Sequence, residues 1–224
     1  MEPAKDRERA REARPRCRQG RGREIHAEAC GATAAAAWGT FVRNHTAGTI
    51  AIDFFTVPTV TFGVLYVFFV LSLERRRVIH VNVTEHPTAE WAAQQIVEAV
   101  GPDAAFTRLI RDRDAIFGAA FDRRVENLNL KQFRTAPRSP WQNGFAERWV
   151  GTARRELVDH VIVLGEHHLR RMLREYARYY DADRTHMSLA GDAPPHRVLE
   201  PPSKGRVVAI PKLGGLHHRY SRAA

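Results

Sequence analysis

Between residues 49 and 83 apolar side chains crowd together with few charges, and beyond residue 87 they recur at helical intervals. The first stretch is rich in Val, Ile, Phe, Tyr and Thr, which suit a pleated, buried surface. It predicts strands at 49–56, 62–71 and 77–83, with a turn near Pro58–Thr61. Phe54 to Leu73 is 20 residues without a charge, and Arg75, Arg76 and Arg77 follow soon after, so a membrane span is an alternative. Pro58, Gly63 and the threonines at 56, 59 and 61 favour extended chain and no membrane.

The period then changes. Pro87-Thr88-Ala89-Glu90 has the Pro and acid of a helix start, and Trp91, Gln95, Val97 and Val100 follow before Gly101-Pro102, which predicts a helix over 88–100. A strand at 106–110, a helix at 118–128, a strand at 129–134 and a proline-bearing loop at 135–141 come next. Phe145, Trp149, Leu157 and Val161 space out a helix from 142 to 160, and another spans 166–180. This order predicts an α/β fold, a mixed five-stranded sheet flanked by helices.

Composition adds the partner. Apolar residues at 44% and charged residues at 27% of 224 exclude wholesale disorder and a collagen-like repeat. Thirty-five Lys and Arg against 25 acids give +10, which attracts polyanions, nucleic acid first. Most of that charge lies at the ends. Residues 1–37 hold nine Lys/Arg and six acids, residues 201–224 five and none, leaving 38–200 nearly balanced. The expected organisation is a disordered basic leader (1–37), which could also act as a nucleic-acid arm, a folded core (38–185) and a flexible basic extension (186–224). No apolar segment backs the basic start as a secretory signal requires, and the two cysteines suit a reducing compartment, so the expected location is cytoplasmic. Cys17, His26 and Cys30 are too few and too loosely spaced for a closed zinc site.

Three carboxylates carry the candidate chemistry. Asp53 stands inside an apolar strand, where a charge is costly unless paired or metal-bound. A neighbouring Arg or a backbone cap would satisfy it equally. Asp112 lies at the C-terminal end of the fourth predicted strand, where open α/β sheets place ligands, although Arg111-Asp112-Arg113-Asp114 also reads as a solvated turn. Glu147 lies one turn into a predicted helix and shares a face with Asn143. Taken alone it reads as a helix-surface acid. Around it Arg138, Arg148, Arg154 and Arg155, with Gln142 and Asn143, are candidate DNA contacts; a solvated face is the alternative. His167, His168, Arg170 and Arg171 read as surface.

WGTFVRNHTAGTIAIDFFTV, LIRDRDAIFG and RTAPRSPWQNGFAERWVGTARREL together resemble the integrase catalytic core and DDE transposase family. The likeness is closest to bacterial insertion-sequence integrases and covers about 38–200. It implies a ribonuclease-H-like fold and a DNA recombinase that performs metal-dependent phosphodiester hydrolysis and strand transfer. By the same resemblance Asp53, Asp112 and Glu147 form the acidic triad, holding Mg²⁺ or Mn²⁺, two ions, with Asp53 bridging. The expected partners are transposon ends and target DNA, bound by a homo-oligomer. Asp112 and Glu147 have 34 residues between them, one short of the spacing in the family's usual name, and Asp114 is a rival second ligand. Residues 1–37 show no helix-turn-helix or zinc module. A nuclease without strand transfer and a catalytically silent DNA-binding remnant are the alternatives.

Overall fold

The computed structural model of the protein describes residues 35–101 and 105–223. The leader up to residue 34, with Cys17, His26 and Cys30, lies outside the described residues. Residues 35–45 form helix α1, so the alanines expected to end the leader already belong to the fold.

The apolar stretch folds as strands. β1 (Thr49–Pro58) pairs antiparallel with β2 (Val64–Ser72), which pairs antiparallel with β3 (Val78–Thr84). The uncharged segment 54–73 is therefore the end of one buried strand and nearly all of the next. No helix among the described residues is long and apolar enough to cross a membrane. Helix α2 (Ala89–Val100) begins at Thr88, whose side chain accepts from Trp91 N at 3.1 Å, and ends at Gly101 with φ 59°. β4 (Arg108–Arg111) returns parallel to β1, helix α3 (Ala119–Asn127) follows, and β5 (Lys131–Arg134) pairs parallel with β4. The sheet order is β3-β2-β1-β4-β5, a mixed five-stranded sheet as predicted.

Helix α4 (Gly144–Glu156) and helix α5 (Glu166–Ala182) complete the core. Alternation along β1 sends Ile50 and Ile52 to one face and Ala51, Phe55 and Val57 to the other. The first face packs on α2 and α3 through Ile96, Phe121 and Val125. The second packs on α1, α4 and α5 through Val42, Trp149, Leu169 and Tyr176. Asp53 falls on this second face. Its position is thus set by strand parity.

The C-terminal extension differs from expectation. β6 (Arg206–Lys212) and β7 (His217–Ala223) form an antiparallel hairpin where the composition predicts a flexible tail. Leu213 between them is buried in the core, and its N–H donates to Glu175 at 3.0 Å. His217 stacks on Tyr179 with ring centroids 4.5 Å apart and contacts the Glu156 carbonyl at 2.7 Å. Glu156 in turn accepts from Arg184 at 2.7 Å and from the Tyr176 hydroxyl at 2.9 Å. Burial acts to raise the Glu156 carboxyl, but Arg184 outweighs it and the carboxyl sits below its usual range.

Asp181, near the end of α5, accepts from Val78 N at 2.9 Å and so clamps the start of β3. Burial pushes its carboxyl up to about 7, against the partial relief of that N–H and of Arg77. A carboxyl raised in the folded state costs nothing below its unfolded pKa near 4 and destabilises increasingly as pH climbs toward 7. Asp181→Asn keeps the acceptor for Val78 and removes the charge. It is expected to gain about 1–2 kcal/mol over the parent at pH 8 and nothing at pH 4 in paired thermal melts. An equal gain at both pH values would refute a charge effect.

Candidate active site

The parallel pairing of β1 with β4 ends at Ala51 opposite Ile110. Asp53 and Asp112 each come two residues later, where β4 has ended and β1 runs on paired only with β2, leaving a crevice beyond the carboxyl end of β4. Arg111 holds this edge. Its buried guanidinium bonds Asp122 at 2.7 Å, Gln132 at 3.0 Å and the Asp112 carbonyl at 3.1 Å, and lies over the Phe117 ring at 5.1 Å. Asp114 accepts from Ile116 N at 2.9 Å in the turn leading to α3.

Electrostatics tie the carboxylates together. Burial pushes the Asp53 carboxyl up to about 7; the charge of Asp112 adds most among its neighbours, then Glu147, then Asp114, against the relief of one backbone N–H. Burial, with Asp114 alongside, raises the Asp112 carboxyl as well. Like charges converging on a half-buried acid favour either a bound proton or a cation. As the side chains stand, Asp53 Oδ1 accepts from Phe54 N at 2.8 Å and Asp112 Oδ1 from Asp114 N at 3.1 Å. Among the described residues no three His, Cys, Asp or Glu side chains surround a common point at ligating distance. The donor chemistry nevertheless fits a hard divalent ion, because all the groups are carboxylate oxygens. One more group fits: Asn143 donates to the Ile52 carbonyl at 3.1 Å, leaving its buried Oδ1 without a donor beside the Asp53 strand. The water shell of a hydrated cation would supply one.

Glu147 is exposed on the first turn of α4, while Trp149 two residues on is buried against Phe69, with ring centroids 4.2 Å apart. The basic and amide residues divide. Arg138, Arg148 and Arg155 are exposed. Three others take part in hydrogen bonds within the fold. Asn143 is buried on Ile52, and Gln142 accepts from Ala136 N and offers its carbonyl to Trp38 Nε1 at 3.0 Å. Arg154 donates to the Thr56 carbonyl at 2.9 Å and lies over the Phe55 ring at 5.4 Å. Helical spacing placed all of them near Glu147 but not the direction of each side chain. Arg148 also opens on a cleft of about 360 Å³ that it shares with Arg43, Arg76, Trp38 and Trp141. Burial and the Arg148 charge lower Arg76, so the cleft is short of anions. Arg43 and Arg76 were not among the residues read as DNA contacts from the sequence.

Residues 128–195 match the family model described as Integrase core domain. Among solved structures the chain is similar, at 13% identity and a TM-score of 0.52, to a chain of the simian T-cell lymphotropic virus intasome in complex with PP2A regulatory subunit B56 gamma. That likeness covers 77% of this chain, which spans 65% of the length of the other. The catalytic domain of a mariner transposase is similar at 13% identity and a TM-score of 0.53, covering 68% of this chain and 81% of that one. No curated protein matches. Likeness at this identity speaks for the fold, which is the ribonuclease-H-like fold of integrase and transposase catalytic cores.

Proposed function

Starting from an integrase core domain in residues 128–195 and a ribonuclease-H-like sheet, we propose that this protein is a DNA recombinase that hydrolyses a phosphodiester and transfers the freed strand end to target DNA. One observation supports the proposal: beside the point where β1 and β4 stop pairing, burial first, and then the charges of Asp112, Glu147 and Asp114, push the Asp53 carboxyl up to about 7. Asp53 comes from the middle of β1, Asp112 from the residue after β4, and Glu147 from α4. Together they would hold Mg²⁺ or Mn²⁺, which supplies Lewis acidity toward phosphoryl oxygens and activates an attacking oxygen. The sheet fixes two of the three ligands, so α4 sets the opening of the site. Asp112 outranks Asp114 as the second ligand because it exerts the stronger effect on Asp53 and because Asp114 is engaged in its own turn.

In the first reaction water adds to a phosphorus, the bond to the 3′ oxygen breaks, and a DNA 3′ hydroxyl is released. In the second that hydroxyl adds to a target phosphorus, and the target's own 3′ oxygen leaves with the proton. No bond to the protein forms. Arg138, Arg148 and Arg155, all exposed, would meet phosphates, which position DNA without reading its sequence. Residues 38–185 make up the core of this activity, and a homo-oligomer would hold the two ends.

The test is joining of a pre-cut duplex end to a plasmid in Mg²⁺. Glu147→Gln preserves size and removes the charge; it is expected to reduce joining by roughly a thousandfold or more, the scale of a lost electrostatic stabiliser. Joining at the parent rate would overturn the assignment, and cleavage without joining in the parent would leave a nuclease.

A further inference from the structure

The buried face of α5 is Leu169, Leu173, Tyr176 and Tyr180. At 100° per residue, His167, Arg171, Arg174 and Arg178 lie on the face directly opposite. Sequence spacing alone makes this a solvated helix surface. The structure adds a second wall, because the β6–β7 hairpin closes against α5 and leaves a groove of about 910 Å³ lined by Arg171, Arg174, Arg178, Lys212 and Arg219. None of Asp53, Asp112 or Glu147 lines it.

The charges in this groove are not balanced locally. Glu175 accepts from Leu213 N, Glu166 pairs with Arg170, and Asp183 stands 3.3 Å from Arg219. The acids within reach are therefore engaged. Among the described residues Arg171, Arg174 and Arg178 form no ion pair, and all three are exposed. Like charges three and four residues apart on a helix destabilise it. Glu175 does stand between them, but with Asp183 it is one of only two acids in the groove's lining among the described residues, against the six cations Arg170, Arg171, Arg174, Arg178, Lys212 and Arg219. The lining has no large aliphatic side chain to insert into a bilayer, and Tyr179, stacked on His217, is its one aromatic. Guanidiniums rising by roughly 4.5 and 6 Å along the helix axis, at 1.5 Å per residue, suit a row of phosphates.

We propose that the outward face of α5 and the β6–β7 hairpin form a second binding track, separate from the acidic site, for the phosphate backbone of duplex DNA without regard to sequence. It requires no metal and no catalysis. Its function is to hold a stretch of duplex beyond the reacting phosphate.

The experiment measures binding of a short duplex of arbitrary sequence in EDTA over a series of salt concentrations, which separates this track from the acidic site. Reversing Arg171, Arg174 and Arg178 to Glu is expected to weaken binding at least about tenfold at ~0.1 M salt and to reduce the slope of log affinity against log salt by about three, near 0.9 for each phosphate no longer neutralised. Replacing the same three by Lys is expected to leave the slope unchanged. If the triple reversal melts earlier than the parent, Arg178→Ala serves instead, with an expected slope change of about one. An unchanged slope would overturn the proposal. So would an equal loss on reversing Arg123 and Arg124 on α3, which would reduce the effect to net charge. Loss of binding to phosphatidylserine vesicles with DNA binding intact would assign the groove to a membrane surface and also overturn it.

Discussion

Asp53→Asn is expected to do two opposite things at once: raise the melting temperature of the protein in EDTA at pH 8, and abolish its stabilisation by Mg²⁺. Burial and the neighbouring acids hold the Asp53 carboxyl up at about 7. In the unfolded chain the same group titrates near 4, so between these values the folded state binds the extra proton and stability falls as pH rises. Above pH 7 the full cost is present. Removing the charge should recover roughly 2–4 kcal/mol, since one pKa unit is worth about 1.4 kcal/mol. Below pH 4 parent and variant should melt together. With Mg²⁺ the gap narrows toward zero, because an ion bound only by the folded parent stabilises it by about 2.7 kcal/mol at a hundred times its Kd. The variant has lost the central carboxylate and should not respond. Thermal melts with EDTA and with Mg²⁺ at two pH values check both halves. A variant that is less stable than the parent in EDTA at pH 8 would show that Asp53 serves the fold rather than a cation.

The second large effect concerns the helix that carries Glu147. Trp149 is 1% exposed, with its ring 4.2 Å from Phe69, 6.0 Å from Phe55 and 6.5 Å from Tyr180 by centroids. It is the main apolar anchor between α4 and the sheet. Trp149→Ala is expected to cost about 3–5 kcal/mol, as large aromatic truncations in packed cores do. Because the helix would lose its seat, strand joining should fall in the same variant at temperatures where it remains folded. Trp149→Phe is a sharper probe. The indole Nε1 is buried without a hydrogen-bond partner, so Phe removes an unsatisfied donor, worth about 1–3 kcal/mol, while giving up part of the packing. The two changes oppose each other, and the net loss should stay below about 1.5 kcal/mol with joining retained. Urea unfolding of the three proteins decides it. An Ala variant within about 1 kcal/mol of the parent would mean that α4 is held elsewhere.

The strands and helices around the acidic site were legible because each is amphipathic in its own period. β1 through α5 all fall within a few residues of where the apolar spacing puts them. The hairpin at 206–223 was not legible, for a physical reason. β6 is exposed at most of its positions and β7 alternates only between half-exposed and exposed, so neither has a buried face. Their order comes from a few docking contacts, Leu213 into the core and His217 on Tyr179, which have no local signature. The start of α1 was hidden similarly, since its alanines continue the low-complexity composition of the segment before it.

The candidate site divides in the same way. Strand parity put Asp53 on one face of β1, the end of β4 put Asp112 just beyond it, and a helix start put Glu147 on α4; those positions follow from local spacing alone. Which of the surrounding basic and amide groups face outward does not follow. Gln142, Asn143 and Arg154 have the residue types of DNA contacts, yet tertiary packing turns them onto Ala136, Ile52 and Thr56. Arg171, Arg174 and Arg178 are plain helix surface by spacing, and only the hairpin gives them an opposite wall. Sequence by itself indicated the elements from β1 to α5 and their order, because backbone period acts over a few residues, while Asp53, Asp112 and Glu147 were singled out by the resemblance of the motifs around them. Only the tertiary structure decided which polar side chains were consumed in holding the fold and which were left for a ligand, because a hydrogen-bond partner a hundred residues away leaves no mark on the local pattern.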